Sequence, residues 1–143
     1  MTCLLDCTLR DGGYYTNWDF SSSLVENYLQ TLSNYPVDYI ELGYRSPPSE
    51  KYLGEYYYLT KATLERFEKY KSKFNFAIML NLKDVTLSNI QSLLEPCIGV
   101  VSLVRIAVNP HDCDGLQLII DKITALNFKV AVNVMYFSEL QFT

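Results

Sequence analysis

The sequence predicts an α/β fold: the first five strands of an eight-stranded barrel of parallel strands and helices, over residues 1–143. Short apolar runs rich in β-branched residues alternate with longer stretches of helical spacing, which is typical of repeated strand–helix units around a parallel sheet. The predicted strands also end in polar side chains, as strands do at the C-terminal face of a β/α barrel. No linker indicates a second domain.

The strand candidates recur at roughly 25 to 35 residues, the spacing that strand–helix units require. Before the second strand, residues 24–32 place their apolar side chains on one helical face, and Ser23 with Glu26 predicts a capping box. Pro36 ends that helix. The predicted strands cover residues 3–9, 38–43, 75–82, 100–108 and 129–136. The later helices are marked by Leu64 and Phe67, by Leu87, Ile90 and Leu94 before Pro96, and by Leu116, Ile119, Ile120 and Ile123.

Two architectures contain this order of elements, an open doubly wound sheet and a closed barrel. Length favours the open sheet, since a closed barrel usually takes about 250 residues. The chemistry of the strands favours the barrel. In the first strand Asp6, Thr8 and Arg10 alternate with apolar residues, which gives a polar side facing the lumen and an apolar side facing the helices.

Polar side chains end all five predicted strands. Individually, such groups could satisfy one another in an internal network of an ordinary sheet. Their occurrence at every strand end favours a shared site instead. These residues are Arg10 and Asp11 on the first strand, then Glu41, Asn81, Arg105 and Asn133 on the following ones.

Composition excludes several classes of function. The net charge is −4 and the 12 Lys and Arg residues are scattered, so a nucleic-acid partner is not expected. No apolar run reaches the roughly 20 residues of a membrane span, and the N-terminus lacks the pattern of a secretory signal, which predicts a cytoplasmic protein. The cysteines form no CxxC pair and predict reduced thiols in apolar positions: Cys3, Cys7, Cys97 and Cys113.

The most specific motif lies at residues 5–13, where a strand runs into Arg10, Asp11 and two glycines. The glycines predict a sharp backbone turn and a close approach to a ligand. A carboxylate there is a hard oxygen ligand suited to Mg²⁺ or Mn²⁺. The neighbouring guanidinium can stabilise an oxyanion on a metal-bound substrate, so the motif indicates enolate chemistry.

The stretch D-x-T-L-R-D-G at residues 6–12, followed by Glu41 within residues 40–43, resembles the DRE-TIM metallolyases. These include hydroxymethylglutaryl-CoA lyase, isopropylmalate synthase and 4-hydroxy-2-oxovalerate aldolase. Residues 104–107 on the fourth strand resemble the aldolase branch. The resemblance implies a TIM barrel that binds one divalent cation at the C-terminal face of its strands.

The resemblance also implies residue roles. Asp11 matches the metal ligand, Arg10 the arginine that steadies the enolate, and Glu41 the acidic member of the triad that names the family. The implied reaction makes or breaks a carbon–carbon bond next to a carbonyl. We therefore expect an aldolase-like lyase that acts on a hydroxylated 2-oxo acid of the pyruvate type.

The sequence departs from this family at two points. The family places an H-x-H pair of metal ligands on its seventh strand, whereas this chain has one histidine, His111, in the loop after the fourth strand. His111 either approaches the rim of the site or is a solvated or capping residue. Tyr14 stands where the aldolase branch has a catalytic histidine, and it acts as a base or as an aromatic wall. The chain is then either part of a longer enzyme, which we favour, or an inactive one.

The remaining site candidates are less specific. Arg45 is a carboxylate clamp or an exposed charge. The tyrosine-rich residues 55–58 and the aromatic residues 14–18 predict a lid, a substrate wall or a protein interface. In all, the sequence predicts catalytic Arg10, Glu41 and Tyr14, a metal ligand Asp11, and substrate-binding Arg45, Asn81, Arg105 and Asn133.

Two other functions fit the same residues. One is a binding or regulatory module that recognises carbonyl ligands without catalysis, and the other is a structural half-barrel. Five strands cannot close an eight-stranded cylinder, and open parallel edges are avoided in natural proteins. We therefore expect self-association or contact with the remainder of a barrel under every hypothesis.

Overall fold

The computed structural model describes residues 2–139, which form a five-stranded parallel sheet with the strand order β1-β2-β3-β4-β5. The strands are β1 (Leu5–Asp6), β2 (Tyr39–Tyr44), β3 (Asn75–Asn81), β4 (Val101–Val108) and β5 (Lys129–Val134). The α-helices are α1 (Thr8–Thr16), α2 (Ser22–Leu32), α3 (Glu55–Tyr58), α4 (Lys61–Glu65), α5 (Ile90–Leu94) and α6 (Leu116–Ala125).

The strand order decides between the two predicted architectures. Every strand lies beside its neighbour in sequence, without the reversal of order that defines a doubly wound sheet. Because strand–helix–strand crossovers are right-handed, a constant direction of winding puts all the helices on one face of the sheet. The fold is therefore an incomplete α/β barrel, a curled half-barrel with a helical outer layer.

The two faces of the sheet differ in chemistry. On the helical side the strands present fully buried apolar residues, among them Ile40, Phe76, Ile78 and Ile106. Paired residues of neighbouring strands share a face, and the pairs Glu41–Ala77 and Met79–Arg105 place the charged side chains on the opposite, inner face. The alternation predicted for Asp6, Thr8 and Arg10 of the first strand is wrong, because Thr8 and Arg10 lie in α1. On β2 and β4, the charged side chains do lie on the face opposite the helices.

The first strand is shorter than predicted. It ends at Asp6, and α1 begins at Thr8 because the Asp6 carboxylate accepts a hydrogen bond of 2.9 Å from the Thr8 backbone N–H. Gly12 and Gly13 therefore lie inside a helix, and the prediction of a sharp glycine turn is wrong. Gly13 is needed for packing, since a Cβ built on it would lie 2.0 Å from the Trp18 indole.

The capping box predicted for the first helical segment is also wrong. This segment contains two helices, and α2 is capped by Ser21, whose hydroxyl accepts a hydrogen bond of 3.3 Å from the Leu24 N–H. Glu26 does not reach back to a cap residue but pairs with Lys69 at 3.0 Å. The other four strands and the later helical segments lie where the apolar pattern predicts them, with boundaries shifted by a few residues.

The outer side of the last strand lacks cover in the part of the chain that the structure describes. Val132 and Val134, on the helix-facing side of β5, are 41% and 40% exposed, and Leu118 of the adjoining α6 is 55% exposed. Strands β1 and β5 each pair with one neighbour, so within residues 2–139 the sheet has two open edges. Between these same residues no helix combines the length and apolarity that crossing a membrane requires.

We predict that Gly13→Ala destabilises the protein by about 1–3 kcal/mol, because the added methyl group must displace the buried Trp18 indole. Gly12→Ala in the same helix is the matched control. Its nearest neighbour is the Phe20 ring at 3.7 Å, an ordinary contact, and alanine is the better helix former. Urea unfolding of both variants measures the difference. Equal destabilisation by the two substitutions would show that Trp18 does not need this space.

Candidate active site

A charged cluster spans the inner face of the sheet, and its centre is Glu41. This side chain is fully buried. Its Oε1 accepts a hydrogen bond of 2.8 Å from Arg10 Nε, and its Oε2 accepts one of 2.9 Å from Arg105 Nη1. Both carboxylate oxygens are thus engaged by guanidinium groups. This geometry fits a carboxylate that positions two arginines, and the catalytic role that the sequence predicts for Glu41 stays a prediction.

The contact between Arg105 and Glu41 depends on the strand that lies between them. Arg105 lies on β4 and Glu41 on β2, with β3 between them. The β3 residue in register with Glu41 is Ala77, whose small side chain leaves the inner face open for the guanidinium. Arg105 Nη2 also donates to Asn133 Oδ1 on β5 at 3.0 Å. The charged cluster, defined as Arg10, Asp11, Glu41, Arg105 and Asn133, therefore connects four of the five strand ends.

Arg10 stays charged within the cluster. Burial by itself would lower the pKa of Arg10, but the hydrogen bond and the charge of Glu41 outweigh it and raise that pKa. The side chains of Arg10 and Arg105 are 14% and 19% exposed, so each still presents an edge to the lumen. Glu41 and Asp11 together balance the two positive charges, so the cluster is formally neutral and offers guanidinium N–H donors, not net positive charge, to a bound anionic group.

Asp11 lies in the first turn of α1 beside this pair. One of its oxygens accepts from Arg10 Nη1, and the other accepts from Cys7 Sγ at 3.1 Å. The Asp11 side chain is 54% exposed, so the carboxylate remains accessible despite the ion pair. Within residues 2–139, however, no group of three His, Cys, Asp or Glu residues could hold a metal ion. The described residues do not complete a metal site by themselves.

Tyr14 reaches the same region and meets a residue that the sequence did not indicate. The hydroxyls of Tyr14 and Tyr44 are 2.9 Å apart. Burial raises the pKa of Tyr44, and the hydrogen bond to Tyr14 raises it further. Tyr44 therefore keeps its proton and can donate it to the Tyr14 oxygen, which leaves the Tyr14 O–H free to donate into the lumen. Tyr14 as a whole is 63% exposed, so its side chain is open to solvent.

A bulge in β2 turns Tyr44 inwards. The β2–β3 register shifts between Glu41 and Tyr44, so that Tyr44 pairs with Met79 and shares the inner face. In a regular strand the inward positions would be 41, 43 and 45. The bulge thus exchanges Tyr44 for Arg45, whose guanidinium donates to the carbonyl oxygens of Leu93 at 2.6 Å and Tyr58 at 2.8 Å. The structure does not bring Arg45 to the cluster, and the predicted carboxylate clamp is not supported.

Four aromatic side chains form an aromatic wall beside the cluster: Tyr14, Trp18, Tyr44 and Tyr57. Trp18 is central, with ring centroids 4.8 Å from Tyr14, 5.7 Å from Tyr44 and 4.9 Å from Tyr57, all edge to face. Its indole N–H donates to the Arg10 carbonyl oxygen at 2.9 Å. The wall is therefore attached to the segment that carries Arg10. Of the three predicted roles for the tyrosine-rich segments, this geometry fits the substrate wall.

A cavity of about 430 Å³, here called the strand-end cavity, lies against the aromatic wall. Its other lining residues include Asn81, Lys83, Ala107, Asn109 and Asp112. A second cavity, of about 450 Å³, lies on the outer side between α2 and α4, away from the strand ends. The strand-end cavity is the better candidate for a substrate site because it adjoins the charged cluster.

The structure thus brings together most of the predicted site. Arg10, Asp11, Glu41, Arg105 and Asn133 form one cluster, and Tyr14 and Asn81 line the cavity beside it. His111 lies in an exposed loop, where its backbone N–H donates to Asn109 Oδ1 at 3.0 Å. The expectation of buried thiols holds for Cys97, while Cys3 and Cys113 are exposed and Cys7 is half-buried.

The fold and this strand-end site define the chain as an incomplete α/β barrel. Over 96% of its length it is similar to a crystal structure described as the "N-terminal domain of a putative aldolase" from Bacteroides vulgatus. The sequence identity is 43% and the TM-score is 0.91. The chain spans 46% of the length of that chain. A scan against protein-family models and a search of curated proteins gave no match.

We predict that Glu41→Gln lowers the free energy of unfolding by about 3–5 kcal/mol, because two partly buried guanidiniums would face each other without their shared anion. Glu26→Gln is the control, since that carboxylate pairs with Lys69 on the exposed surface and its loss should have little effect. Urea unfolding monitored by circular dichroism measures both variants. A Glu41→Gln protein as stable as the control variant would contradict the positioning role.

Proposed function

We propose that this chain is the N-terminal half-barrel of an aldolase-like carbon–carbon lyase of the DRE-TIM metallolyase type. The observation that carries the proposal is the charged cluster, in which one buried carboxylate aligns two arginines at the strand ends beside an accessible aspartate. The similarity to a structure described as the N-terminal domain of a putative aldolase supports the aldolase-like part of the proposal. The chain by itself is proposed to be inactive.

The proposed substrate is a 4-hydroxy-2-oxo acid. A base removes the proton of the C4 hydroxyl, the bond between C3 and C4 breaks, and C4 leaves as an aldehyde. The electron pair remains as the enolate of pyruvate, which is then protonated at C3. Arg10 lies where it can donate to the enolate oxygen, and Arg105 with Asn133 can receive the carboxylate. Tyr14 presents its hydroxyl to the same space as a donor.

We also propose that Asp11 supplies one oxygen ligand to a divalent cation, Mn²⁺ or Mg²⁺, whose other ligands lie outside this chain. Its half-exposed carboxylate supports this, since hard cations prefer oxygen donors. When bound, such an ion polarises the carbonyl of a 2-oxo acid. No step above is assigned to it, because the described residues do not complete its ligand shell.

The proposal includes partners for the open parts of the half-barrel. The two sheet edges and the exposed Val132 and Val134 require further strands and a helix, as parallel sheets are covered on both faces. The chain of the similar structure is about twice as long, which favours a longer polypeptide as the source of these further strands and this helix. A second copy of this chain is the alternative source.

We place the protein in the cytoplasm, where unpaired thiols such as its four free cysteines are usual.

We predict that the full-length protein releases pyruvate from 4-hydroxy-2-oxovalerate in the presence of Mn²⁺, and that Arg10→Lys lowers kcat by about 10²–10³-fold. The lysine keeps the charge but loses the planar fork that serves Glu41 and the enolate together. Arg66→Lys, in an exposed pair with Glu55, is the control that should retain activity. If no 4-hydroxy-2-oxo acid yields pyruvate, the lyase proposal fails.

We predict that the full-length protein binds Mn²⁺ and that Asp11→Asn weakens this binding at least about tenfold, because a carboxylate ligand is replaced by a neutral amide. Isothermal titration with MnCl₂ measures the affinity. The matched control is Asp121→Asn, which changes an exposed carboxylate on α6. Unchanged affinity in the Asp11 variant would show that this residue is not a ligand.

A further inference from the structure

We infer that the strand-end cavity binds the part of the substrate beyond the 2-oxo acid group, and that this part is a polyhydroxylated carbon chain of the sugar-acid type. The inference rests on the proposed function for the placement of the 2-oxo acid group. It concerns the cavity lined by the aromatic wall together with Asn81, Lys83, Ala107, Asn109 and Asp112.

The cavity continues directly from the charged cluster. Ala107 lines it and lies two residues beyond Arg105, which is the next inward position on β4. Ala107 pairs with Asn81 of β3 on one side and with Asn133 of β5 on the other. The cavity therefore begins one layer above the arginines. A carboxylate and carbonyl held by the cluster would direct the rest of the molecule into it.

The size of the cavity argues for a substrate with more than three carbons. Its volume of about 430 Å³ lies within the roughly 300–1,000 Å³ of pockets that hold small-molecule ligands. Pyruvate alone would leave most of this space to solvent. The small side chain of Ala107 at the base keeps the path from the cluster open.

The lining combines aromatic rings with hydrogen-bonding groups. Ring faces pack against the C–H groups of a carbon chain, and Tyr14 offers a hydroxyl. Asn81 donates through Nδ2 to Asp84 at 3.3 Å, and among the described residues its Oδ1 has no hydrogen-bond partner, so this acceptor remains for a substrate hydroxyl. Asn109, also on the lining, accepts from the His111 backbone N–H through Oδ1, which leaves its Nδ2 as a donor.

These groups disfavour the two other kinds of substrate tail. An alkyl tail would remove the amides from water without replacing their hydrogen bonds, which is unfavourable by about 1–3 kcal/mol per group. A phosphorylated tail would need concentrated positive charge, whereas Lys83 on this lining is offset by Asp112. Hydroxyl groups satisfy the amides and need no net charge.

The test uses the full-length protein and two six-carbon 4-hydroxy-2-oxo acids, one with hydroxyls on C5 and C6 and one with plain alkyl carbons there. We expect kcat/KM for the hydroxylated acid to exceed that for the alkyl acid at least tenfold. Asn81→Leu should reduce this ratio through a higher KM for the hydroxylated acid. Asn34→Leu, an exposed position after α2, should leave the ratio unchanged. An equal or reversed preference in the unmodified protein overturns the inference.

A binding readout separates the inference from the proposed function. Trp18 lies in the aromatic wall and is the one tryptophan of this chain, so its fluorescence reports occupancy of the cavity. We expect titration with a six-carbon 2-oxo sugar acid to change the emission, and the matched alkyl 2-oxo acid to do so at concentrations at least tenfold higher. Trp18→Phe identifies the signal. Selective binding without pyruvate release from any acid would refute the lyase proposal and retain the inference; absence of selective binding refutes the inference.

Discussion

The buried carboxylate of Glu41 is the interaction on which the strand-end site depends. It has no contact with solvent and satisfies both oxygens with arginines that come from the first and fourth strand–helix units. Removing a charge from water is unfavourable unless its partners compensate for the lost hydration. This requirement makes the relative position of β1, β2 and β4 part of the chemistry, because a displaced strand would leave a buried charge without its partner.

The aromatic wall extends this coupling to the other side of the cavity. Gly13 lets the Trp18 indole pack closely against α1, and the indole N–H donates to the Arg10 carbonyl oxygen. The same indole therefore holds both α1 and the backbone of Arg10 in place. Tyr44, held in its protonated form by burial, fixes the hydroxyl of Tyr14 in turn. The site is thus built from side chains of α1, β2 and β4, with Asn81 and Asn133 contributed by β3 and β5.

The apolar runs of the sequence predicted β2 to β5 well because the residues of these strands that face the helices are apolar. Sequence periodicity failed at residues 7–13, where the hydrogen bond from Thr8 N–H to Asp6 starts a helix that two glycines disfavour. It also failed for Arg45 and Tyr44, because alternation assumes a regular strand and the β2 bulge breaks it. The hydrogen-bonded pairs of the charged cluster depend on which strands are neighbours in the sheet. The periodicity of a sequence carries no information about that order.

The β2 bulge has a consequence for how the electrostatics of such a lumen can change. Removal of one residue at position 42 or 43 would restore regular pleating, because Glu41 and Tyr44 would then lie two positions apart, as neighbours on one face of a regular strand do. The Tyr44 phenol would stay in the lumen, and the Arg45 guanidinium would keep its contacts with the carbonyls of Leu93 and Tyr58. If the full-length strand lost the bulge instead, the Arg45 guanidinium would replace the phenol and add a positive charge to the substrate chamber.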